Sequence, residues 1–263
     1  MSRPGPAPDP DPTRRFSGRI ADYARYRPEY PPGLTRLLRS EISLSPSWTV
    51  ADVGSGTGLS AQPFLELGCR VFGVEPNAEM RATAEARLAD RPFRSVAGRA
   101  EATTLANDSV DLVVAGQAFH WFNVAEARRE FSRILRPPGR VVLVWNTRVL
   151  DGSPFLRKYE ELLLRFGTDY AEVRHDARRS RLLHRFFHDA FSRRALPNRQ
   201  SLDRDGLRGR TLSASYTPNE SDPAREEMLE ELDALFGHHQ DRGRVRLEYE
   251  TEIYFGLLAE GTR

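Results

Sequence analysis

The sequence is poor in cysteine, in lysine and in long apolar runs. Cys69 is the only cysteine among 263 residues, which excludes an intrachain disulfide framework and favours a reducing, cytoplasmic compartment. No apolar run approaches the roughly 18 residues that a membrane-spanning helix requires. The N-terminus lacks the apolar core of a signal peptide. Lys158 is the only lysine, so arginine supplies nearly all of the basic charge.

The sequence also lacks a large excess of either charge, because 39 basic and 37 acidic residues leave a formal net charge of +2. Such a balance gives no global electrostatic argument for nucleic acid as a partner. The length allows one large domain with a substantial core. Residues 1–13 carry proline at positions 4, 6, 8, 10 and 12, and this spacing predicts a disordered tail.

Apolar runs alternate with helical patterns over the middle of the chain. Parallel strands need crossover helices, so this alternation predicts an α/β fold of the Rossmann-like, doubly wound type with a mostly parallel sheet. We expect a helix from Leu59 to Leu67 and a helical cap after the fifth strand. The run 245–255 alternates apolar and polar residues, which predicts an antiparallel C-terminal edge strand. The predicted strands of the core are 48–53, 70–75, 93–98, 110–116 and 140–146.

Three glycines on alternate positions follow the first predicted strand in the stretch Asp52-Val53-Gly54-Ser55-Gly56-Thr57-Gly58. Glycine permits positive φ and lets a ligand approach the backbone, and open α/β sheets bind ligands at this edge. An acid before the loop would repel the pyrophosphate of a dinucleotide but tolerate a ligand that carries an ammonium group. Glu75 ends the second strand and can accept hydrogen bonds from a ribose diol. An amino acid joined to a ribose describes S-adenosylmethionine.

These residues resemble the class I S-adenosylmethionine-dependent methyltransferases, in the broad small-molecule group called type 11. "VADVGSGTG" is similar to the first motif of that family and "FGVEPNAEM" to the second. "AGRAEATTL", "GQAFHWF" and "LRPPGRVVLVW" are similar to its later segments. "DYARYRPEYPP" (22–32) is similar to an N-terminal segment that closes over the cofactor in a subset resembling trans-aconitate methyltransferase.

The resemblance implies roles for individual residues. Glu75 would hold the ribose, and Gln117 would lie beneath the sulfonium. Arg27 would pair with the carboxylate of the cofactor. The methionyl end would be held by Asp52, Gly54, Ser55, Gly56 and Gly58, and the adenine bordered by Asn77, Met80, Ala100 and Glu101.

The resemblance also implies a domain plan. We expect one methyltransferase domain over residues 14–263. Its parts would be N-terminal lid helices (14–47), a cofactor-binding core (48–148), a helical cap (149–190) and C-terminal strands and helices (191–263).

His120 is the candidate catalytic residue, because it follows the fourth strand and an imidazole can take a proton near neutral pH. The alternative is that it packs against Trp121 and shapes the pocket. Two interpretations also stay open for the arginine-rich segment 174–194: a cap that attracts an anionic substrate, or a solvated amphipathic helix.

The expected activity is methyl transfer to a small-molecule oxygen, nitrogen or carbon nucleophile, with no metal. No N/D-P-P-Y/F run follows the fourth strand, which disfavours nucleic acid, and no membrane partner is expected. A non-catalytic or regulatory protein that binds S-adenosylmethionine is the alternative, and the acid before the loop disfavours a nucleotide-dependent oxidoreductase. The acceptor and the oligomeric state are left open.

Overall fold

The computed structural model describes residues 24–168, residue 170 and residues 176–258. The proline-rich tail predicted over residues 1–13, and the first ten residues of the predicted lid segment 14–47, lie outside the described residues. We number the elements from Gly33. The helices are α1 (Gly33–Ile42), α2 (Gln62–Leu67), α3 (Ala78–Arg87), α4 (Val124–Ile134), α5 (Pro154–Phe166), α6 (Asp176–Phe187), α7 (Arg204–Leu212) and α8 (Ala224–His239). The strands are β1 (Thr49–Val53), β2 (Arg70–Val74), β3 (Phe93–Val96), β4 (Val110–Gly116), β5 (Leu135–Arg148), β6 (Phe191–Leu202) and β7 (Val245–Leu257).

Side-chain caps fix where several of these helices begin. At each of four N-termini a short polar side chain accepts a hydrogen bond from the backbone N–H three residues later, which satisfies a donor that the helix itself leaves unpaired. The capping residues are Asn77 for α3, Asn123 for α4, Ser153 for α5 and Asp203 for α7.

The seven strands form one sheet in the order β3-β2-β1-β4-β5-β7-β6. β1 pairs in parallel with β2 on one side and with β4 on the other. The chain therefore continues from β1 to strands on one side of it, β2 and β3, and then returns to β4 on the other side of β1. A crevice opens at such a switch point, beyond the carboxyl ends of the two strands. The confirmed α/β doubly wound fold thus places the segments after Val53 and Gly116 side by side.

β7 runs antiparallel to its neighbour β5 in the sheet. The N–H of Leu258 donates to the carbonyl of Gly139 over 2.9 Å, and the N–H of Val149 donates to the carbonyl of Glu248 over 2.9 Å. Residue numbers thus rise along β5 as they fall along β7. The predicted antiparallel C-terminal strand is confirmed, but β6 lies outside it and forms the outer edge. This position explains why the last part of β7 is buried without alternation.

Helices cover both faces of the parallel part of the sheet. On one face Val113 packs in a core with Phe131 of α4. On the other face the adjacent residue Leu112 packs in a core with Leu38 of α1 and Phe64 of α2. Successive strand residues point to opposite faces, so a strand buried on both faces is almost entirely apolar, as β4 is.

Helix α2 begins at Gln62, whereas the sequence predicted a helix from Leu59. Pro63 is the second residue of α2, a position where its fixed φ and missing N–H are tolerated. The chain before Gln62 forms turns that continue the glycine-rich loop. A helix of six residues also supplies little dipole at its N-terminus.

The described residues divide into two compact units. Unit 1 comprises the described residues up to Pro28, within Arg148–Asp176 and within Arg199–Tyr249. Unit 2 comprises Glu29–Thr147, Ala177–Asn198 and the described residues from Glu250 onward. Unit 1 has its own core, in which Tyr159 of α5 and Met228 of α8 are buried with Leu247 of β7. The predicted boundaries within residues 14–263 stay a prediction. Across the described ranges, none of the helices is both long and apolar enough to span a membrane.

Candidate functional site

The glycine loop, residues 54–58, follows β1 at the switch point. Its first two amides, those of Gly54 and Ser55, donate to the carbonyl of Val74 at the end of β2 over 2.8 and 3.2 Å. The N–H of Gly58 donates to the carbonyl of Ser55 over 2.9 Å and closes the turn. The loop is therefore attached to the neighbouring strand rather than free.

Each glycine of the loop has a positive φ, but the space beside each differs. A Cβ on Gly54 would lie 2.5 Å from Cβ of Ala118, and one on Gly58 would lie 2.6 Å from Cδ1 of Leu88. Packing against Ala118 therefore requires glycine at position 54, and a φ of +81° favours glycine at position 58. A Cβ on Gly56, where φ is +53°, would meet only Sδ of Met80, at 3.7 Å, among the described residues. The backbone at Gly56 thus borders open space.

Asp52 lies in β1 and is completely buried. The hydroxyl of Ser60 donates to its carboxylate, with Oγ 2.9 Å from Oδ1 and 2.7 Å from Oδ2. Burial raises the pKa of Asp52 to about 7; the hydrogen bond from Ser60 opposes this rise, and the charge of Glu75 adds to it. This carboxyl therefore changes its charge near neutral pH. A cationic group placed beside it would favour the ionised form.

Glu75 follows β2 and connects the loop to α3. Its Oε2 accepts from the N–H of Gly56 over 3.1 Å, and its Oε1 accepts from the N–H of Asn77 over 2.9 Å. Burial raises the pKa of this carboxyl, while the two backbone hydrogen bonds and the charge of Arg81 oppose the rise. Each oxygen of an ionised carboxylate has a second lone pair, so Glu75 retains capacity for two further donors.

The residues predicted to border an adenine lie in two groups. Asn77 caps α3, and its side chain accepts from the N–H of Met80 over 3.0 Å. That cap holds Met80, whose sulfur is the nearest described atom to the open side of Gly56. In the other group Ala100 is buried between the paired residues Arg99 and Ala102.

Glu101 follows Ala100 and connects this segment to the next helix. Its Oε1 accepts from the N–H of Asn123 over 2.8 Å. Asn123 caps α4, so Glu101 supports the start of that helix.

Gln117 directly follows β4 and has a φ of +60°, in the left-handed region that non-glycine residues rarely adopt. Its N–H donates to the carbonyl of Val144 over 2.9 Å, and its side-chain amide donates to the carbonyl of Asn146 over 3.2 Å. Backbone of this kind is held in place by its surroundings and clusters at functional sites. Here two hydrogen bonds to β5 hold it.

His120 lies in a 3-10 turn, residues 119–121, just beyond Gln117. Its ring is tilted by 45° against the ring of Trp121, with centroids 4.8 Å apart. Phe122 follows and packs edge-on against Phe119. A Cβ on Gly54 would lie 3.5 Å from the ring of Phe122. The ring of Phe122, directly after the turn, therefore lies against the start of the glycine loop.

Tyr30 and Asn146 were not singled out from the sequence. A Cβ on Gly116 would collide with the hydroxyl of Tyr30, so this tyrosine reaches the end of β4. The side-chain amides of Asn146 and Asn198 donate to the carbonyl of Glu29 over 3.3 and 2.7 Å. Polar contacts thus hold the residues beside Tyr30 at the switch point. The signal in the sequence was an aromatic residue before two prolines within the segment 22–32.

Arg27, predicted to pair with a carboxylate of the cofactor, belongs to unit 1, whereas the glycine loop belongs to unit 2. Its Nη2 donates to the carbonyl of Ser213 over 2.8 Å, also within unit 1. The predicted role of Arg27 stays a prediction.

Several arginines of the segment 174–194 have acidic partners within unit 2. Arg179 and Arg193 both pair with the buried Glu252, over 2.6 and 2.8 Å, and Arg194 pairs with Glu41 over 2.8 Å. The Arg179 guanidinium also lies over the ring of Trp145, 5.3 Å from its centroid. These side chains are anchored to the sheet and to α1.

Two features of the loop suit the cofactor implied by the sequence. One is the open side of Gly56, which a side chain would fill. The other is the hydroxyl of Thr57, which is buried and has no hydrogen-bond partner in the part of the chain that the structure describes. A buried hydroxyl without a partner costs free energy, and a polar ligand in the open space would supply one. Asp52 and Glu75 add carboxylate acceptors for an ammonium group and for a ribose diol.

Comparison with known proteins places a family match over this site. Residues 51–143 match the family of methyltransferase domains. An uncharacterized methyltransferase of Schizosaccharomyces pombe is 37% identical over 152 residues, which are 57% of this chain and 59% of that protein. An uncharacterized methyltransferase of Mycobacterium tuberculosis is 38% identical over 152 residues, 58% of this chain and 60% of that protein. The chain thus spans about three fifths of the length of these curated relatives.

A solved structure of a proposed type II methyltransferase from Anaeromyxobacter dehalogenans shares the fold. Its TM-score is 0.65 at 22% sequence identity, and the match covers 90% of this chain and 100% of that chain. A structure of a methyltransferase proposed for an antibiotic biosynthesis pathway of Anabaena variabilis matches with a TM-score of 0.60 at 20% identity, over 89% of this chain and 99% of that chain.

Proposed function

We propose that this chain transfers a methyl group from S-adenosylmethionine to a small-molecule acceptor. The chain carries a class I S-adenosylmethionine-dependent methyltransferase domain, and S-adenosylmethionine is its cofactor. The proposal rests chiefly on one observation. The open side of Gly56 lies beside a buried carboxylate, Glu75, that retains acceptor capacity. A nucleoside with a ribose diol is the ligand that this combination suits.

We assign the methionyl end to the glycine loop and its surroundings. Asp52 would face the ammonium group, and the hydroxyl of Thr57 would find its partner on the ligand. Ser55 and the glycines would bring the main chain within contact distance. Glu75 would accept from both ribose hydroxyls, which fits its position between the loop and α3.

The remaining cofactor contacts follow from the same placement. Met80, beside the open side of Gly56, would border the adenine with Asn77. Ala100 and Glu101 would form the opposite edge of the adenine site. Gln117, held with a positive φ at the end of β4, would face the reacting end of the cofactor.

The chemistry of the reaction belongs mainly to the cofactor, which supplies a methyl group bound to a positively charged sulfur. The protein binds, orients and excludes water. Orientation of an acceptor in line with the transferred group contributes on the order of 7–11 kcal/mol to barrier lowering. The turn 119–121 and the polar contacts that hold Glu29 lie where they can restrict access to the switch point.

His120 is the proposed base for acceptors that must lose a proton. Its position beyond Gln117 supports this role, and its contact with Trp121 supports packing as the alternative. His120→Phe keeps an aromatic ring against Trp121 but removes the base. If His120 is the base, this variant retains cofactor affinity but loses methyl transfer and the acid limb of the pH–rate profile. A variant with an unchanged rate and profile would contradict the role.

Small molecules are the proposed acceptor class. The segment after β4 reads Gly116-Gln117-Ala118-Phe119-His120, without the N/D-P-P-Y/F run of many enzymes that methylate nucleic-acid amino groups. The near balance of charge agrees with this proposal. The cytoplasmic location predicted from the single cysteine stays a prediction.

The test is turnover with isotopically labelled S-adenosylmethionine and a metabolite extract, followed by mass spectrometry. Formation of a labelled small molecule, together with the demethylated cofactor, is the expected result. Gly56→Leu serves as the control that removes the cofactor. Binding of S-adenosylmethionine without any labelled product would instead indicate a protein that binds the cofactor and does not catalyse, and labelled RNA or DNA would contradict the acceptor class.

A further inference from the structure

Arg210 of α7 is a buried cation without an acidic partner among the described residues. Its side chain and backbone together are 6% exposed. Its Nε donates to the hydroxyl of Tyr249 over 3.0 Å, and its guanidinium lies 5.9 Å from the centroid of the same ring. Arginine stays protonated in proteins, so a full positive charge is held in the interior of unit 1.

The groups around Arg210 do not neutralise it. The hydroxyl of Tyr249 already donates to Oε1 of Gln200 over 2.8 Å. Glu160 is buried in the same unit, but it pairs with the guanidinium of Arg148 and accepts from the hydroxyl of Tyr170 over 2.6 Å. The buried part of unit 1 that the structure describes therefore holds two guanidinium groups and one carboxylate.

A third guanidinium comes close to the same end of α7. The hydroxyl of Ser213 donates to the carbonyl of Arg210 over 2.7 Å. The backbone carbonyl of Ser213 accepts from Nη2 of Arg27. The guanidinium group of Arg27 therefore lies near the residues that follow Arg210.

Burial of an unpaired charge is strongly unfavourable, and buried charges in proteins are paired or bound to ligands. A guanidinium group presents two parallel N–H groups that match the oxygens of a carboxylate or a phosphate. Nη1 and Nη2 of Arg210 make no hydrogen bond within the described ranges, so both are available for such a contact.

We propose that Arg210 is the centre of an anion-binding site in unit 1, which takes the carboxylate or phosphate group of a small molecule. The site is separate from the glycine loop in the chain and concerns binding, so it does not depend on the proposed methyl transfer. The bound anion supplies the negative charge that the interior of unit 1 lacks.

The test measures thermal unfolding of the full chain with inorganic phosphate or citrate, against sodium chloride of equal ionic strength. Arg210→Met removes the charge and keeps a side chain of comparable length. Arg208→Met is the matched control on the same helix, because Arg208 is 40% exposed and pairs with Asp233. We expect one of the two anions to raise the melting temperature of the wild type and of Arg208→Met at millimolar concentration. We expect neither anion to raise the melting temperature of Arg210→Met more than sodium chloride does.

The larger of the two shifts identifies the ligand group as phosphate or carboxylate. Arg210→Met is also expected to melt no lower than the wild type without anion, since it removes an unpaired buried charge. Arg210→Lys, which keeps the charge but loses the paired N–H groups, is expected to need about tenfold more anion for the same shift. S-adenosylmethionine should still stabilise both variants, which separates this site from the cofactor site. Equal anion responses in the wild type and the Arg210 variants, or no response of the wild type beyond sodium chloride, would overturn the proposal.

Discussion

Asp52→Asn should make the protein less sensitive to pH, because Asp52 is a buried acid whose pKa is raised. The pKa of Asp52 rises from 3.8 to about 7 in the folded protein. The carboxyl in the unfolded chain loses its proton near pH 4, whereas the folded protein keeps it until about pH 7. Between these values the folded state binds more protons than the unfolded state. The free energy of unfolding therefore falls as the pH rises through this window.

The magnitude follows from the size of the shift. The difference between about 7 and 3.8 is about 3 pKa units, and at about 1.4 kcal/mol per unit this corresponds to about 4 kcal/mol. The wild type should thus lose up to about 4 kcal/mol relative to Asp52→Asn between pH 4 and pH 8. Asparagine keeps the shape of the side chain and an oxygen that accepts from Ser60, so packing cancels in the comparison.

Urea unfolding of both proteins at several pH values measures this difference. Most other titrating groups contribute equally to both proteins and cancel. Ser60→Ala provides a second check, because loss of the hydrogen bond that stabilises the carboxylate should raise the pKa of Asp52 further and extend the window upward. A wild-type minus Asp52→Asn difference that is constant from pH 4 to pH 8, or one that grows with pH, would refute the reasoning.

Three further predictions concern the cofactor site and the thiol. Glu75→Ala should weaken binding of S-adenosylmethionine by about 10- to 100-fold in calorimetry, because it removes a hydrogen bond to a charged acceptor. The control Glu85→Ala, at an exposed position of α3, should leave the affinity unchanged. The affinity should rise with pH through about 7, because a cationic ligand favours ionised Asp52, and Asp52→Asn should abolish this rise; the same dependence in both proteins would argue against contact with that carboxyl. Burial raises the pKa of the Cys69 thiol to about 11, so a thiol reagent at pH 8 should label the folded protein only as it unfolds, and immediate labelling of one equivalent would disagree.

The sequence predicted the parts of the site that depend on local chemistry. The glycine loop was readable because each glycine has a positive φ that other residues avoid. Glu75 was readable because it ends a strand next to the one that carries the loop. The apolar pattern of β4 predicted a strand buried on both faces, and the packing of Val113 and Leu112 in separate cores confirmed it.

Other features depend on contacts between distant residues and left no local signal. The position of β7 inside the sheet is set by its pairing with both β5 and β6, not by its own alternation. Tyr30 lies beside Gly116 across 86 positions of sequence. Arg210 was one arginine among many, and only the fold reveals that it lacks an acidic partner among the described residues. A sequence pattern cannot identify such a residue, because its role depends on the residues that surround it in the folded structure.

The most direct test of the proposed cofactor site compares two glycines that both have a positive φ. Gly56 lies in the loop, and Gly243 lies outside it. Gly243 has a φ of +75° and lies in the hairpin before β7, where a Cβ would have no described atom within 4 Å. Gly56→Leu and Gly243→Leu therefore carry similar backbone costs. Calorimetric titration with S-adenosylmethionine should find wild-type affinity in Gly243→Leu and a loss of about 100-fold or more in Gly56→Leu, because only that side chain fills the space beside the loop. Equal affinity in the wild type and Gly56→Leu would contradict the claim that this loop holds the cofactor.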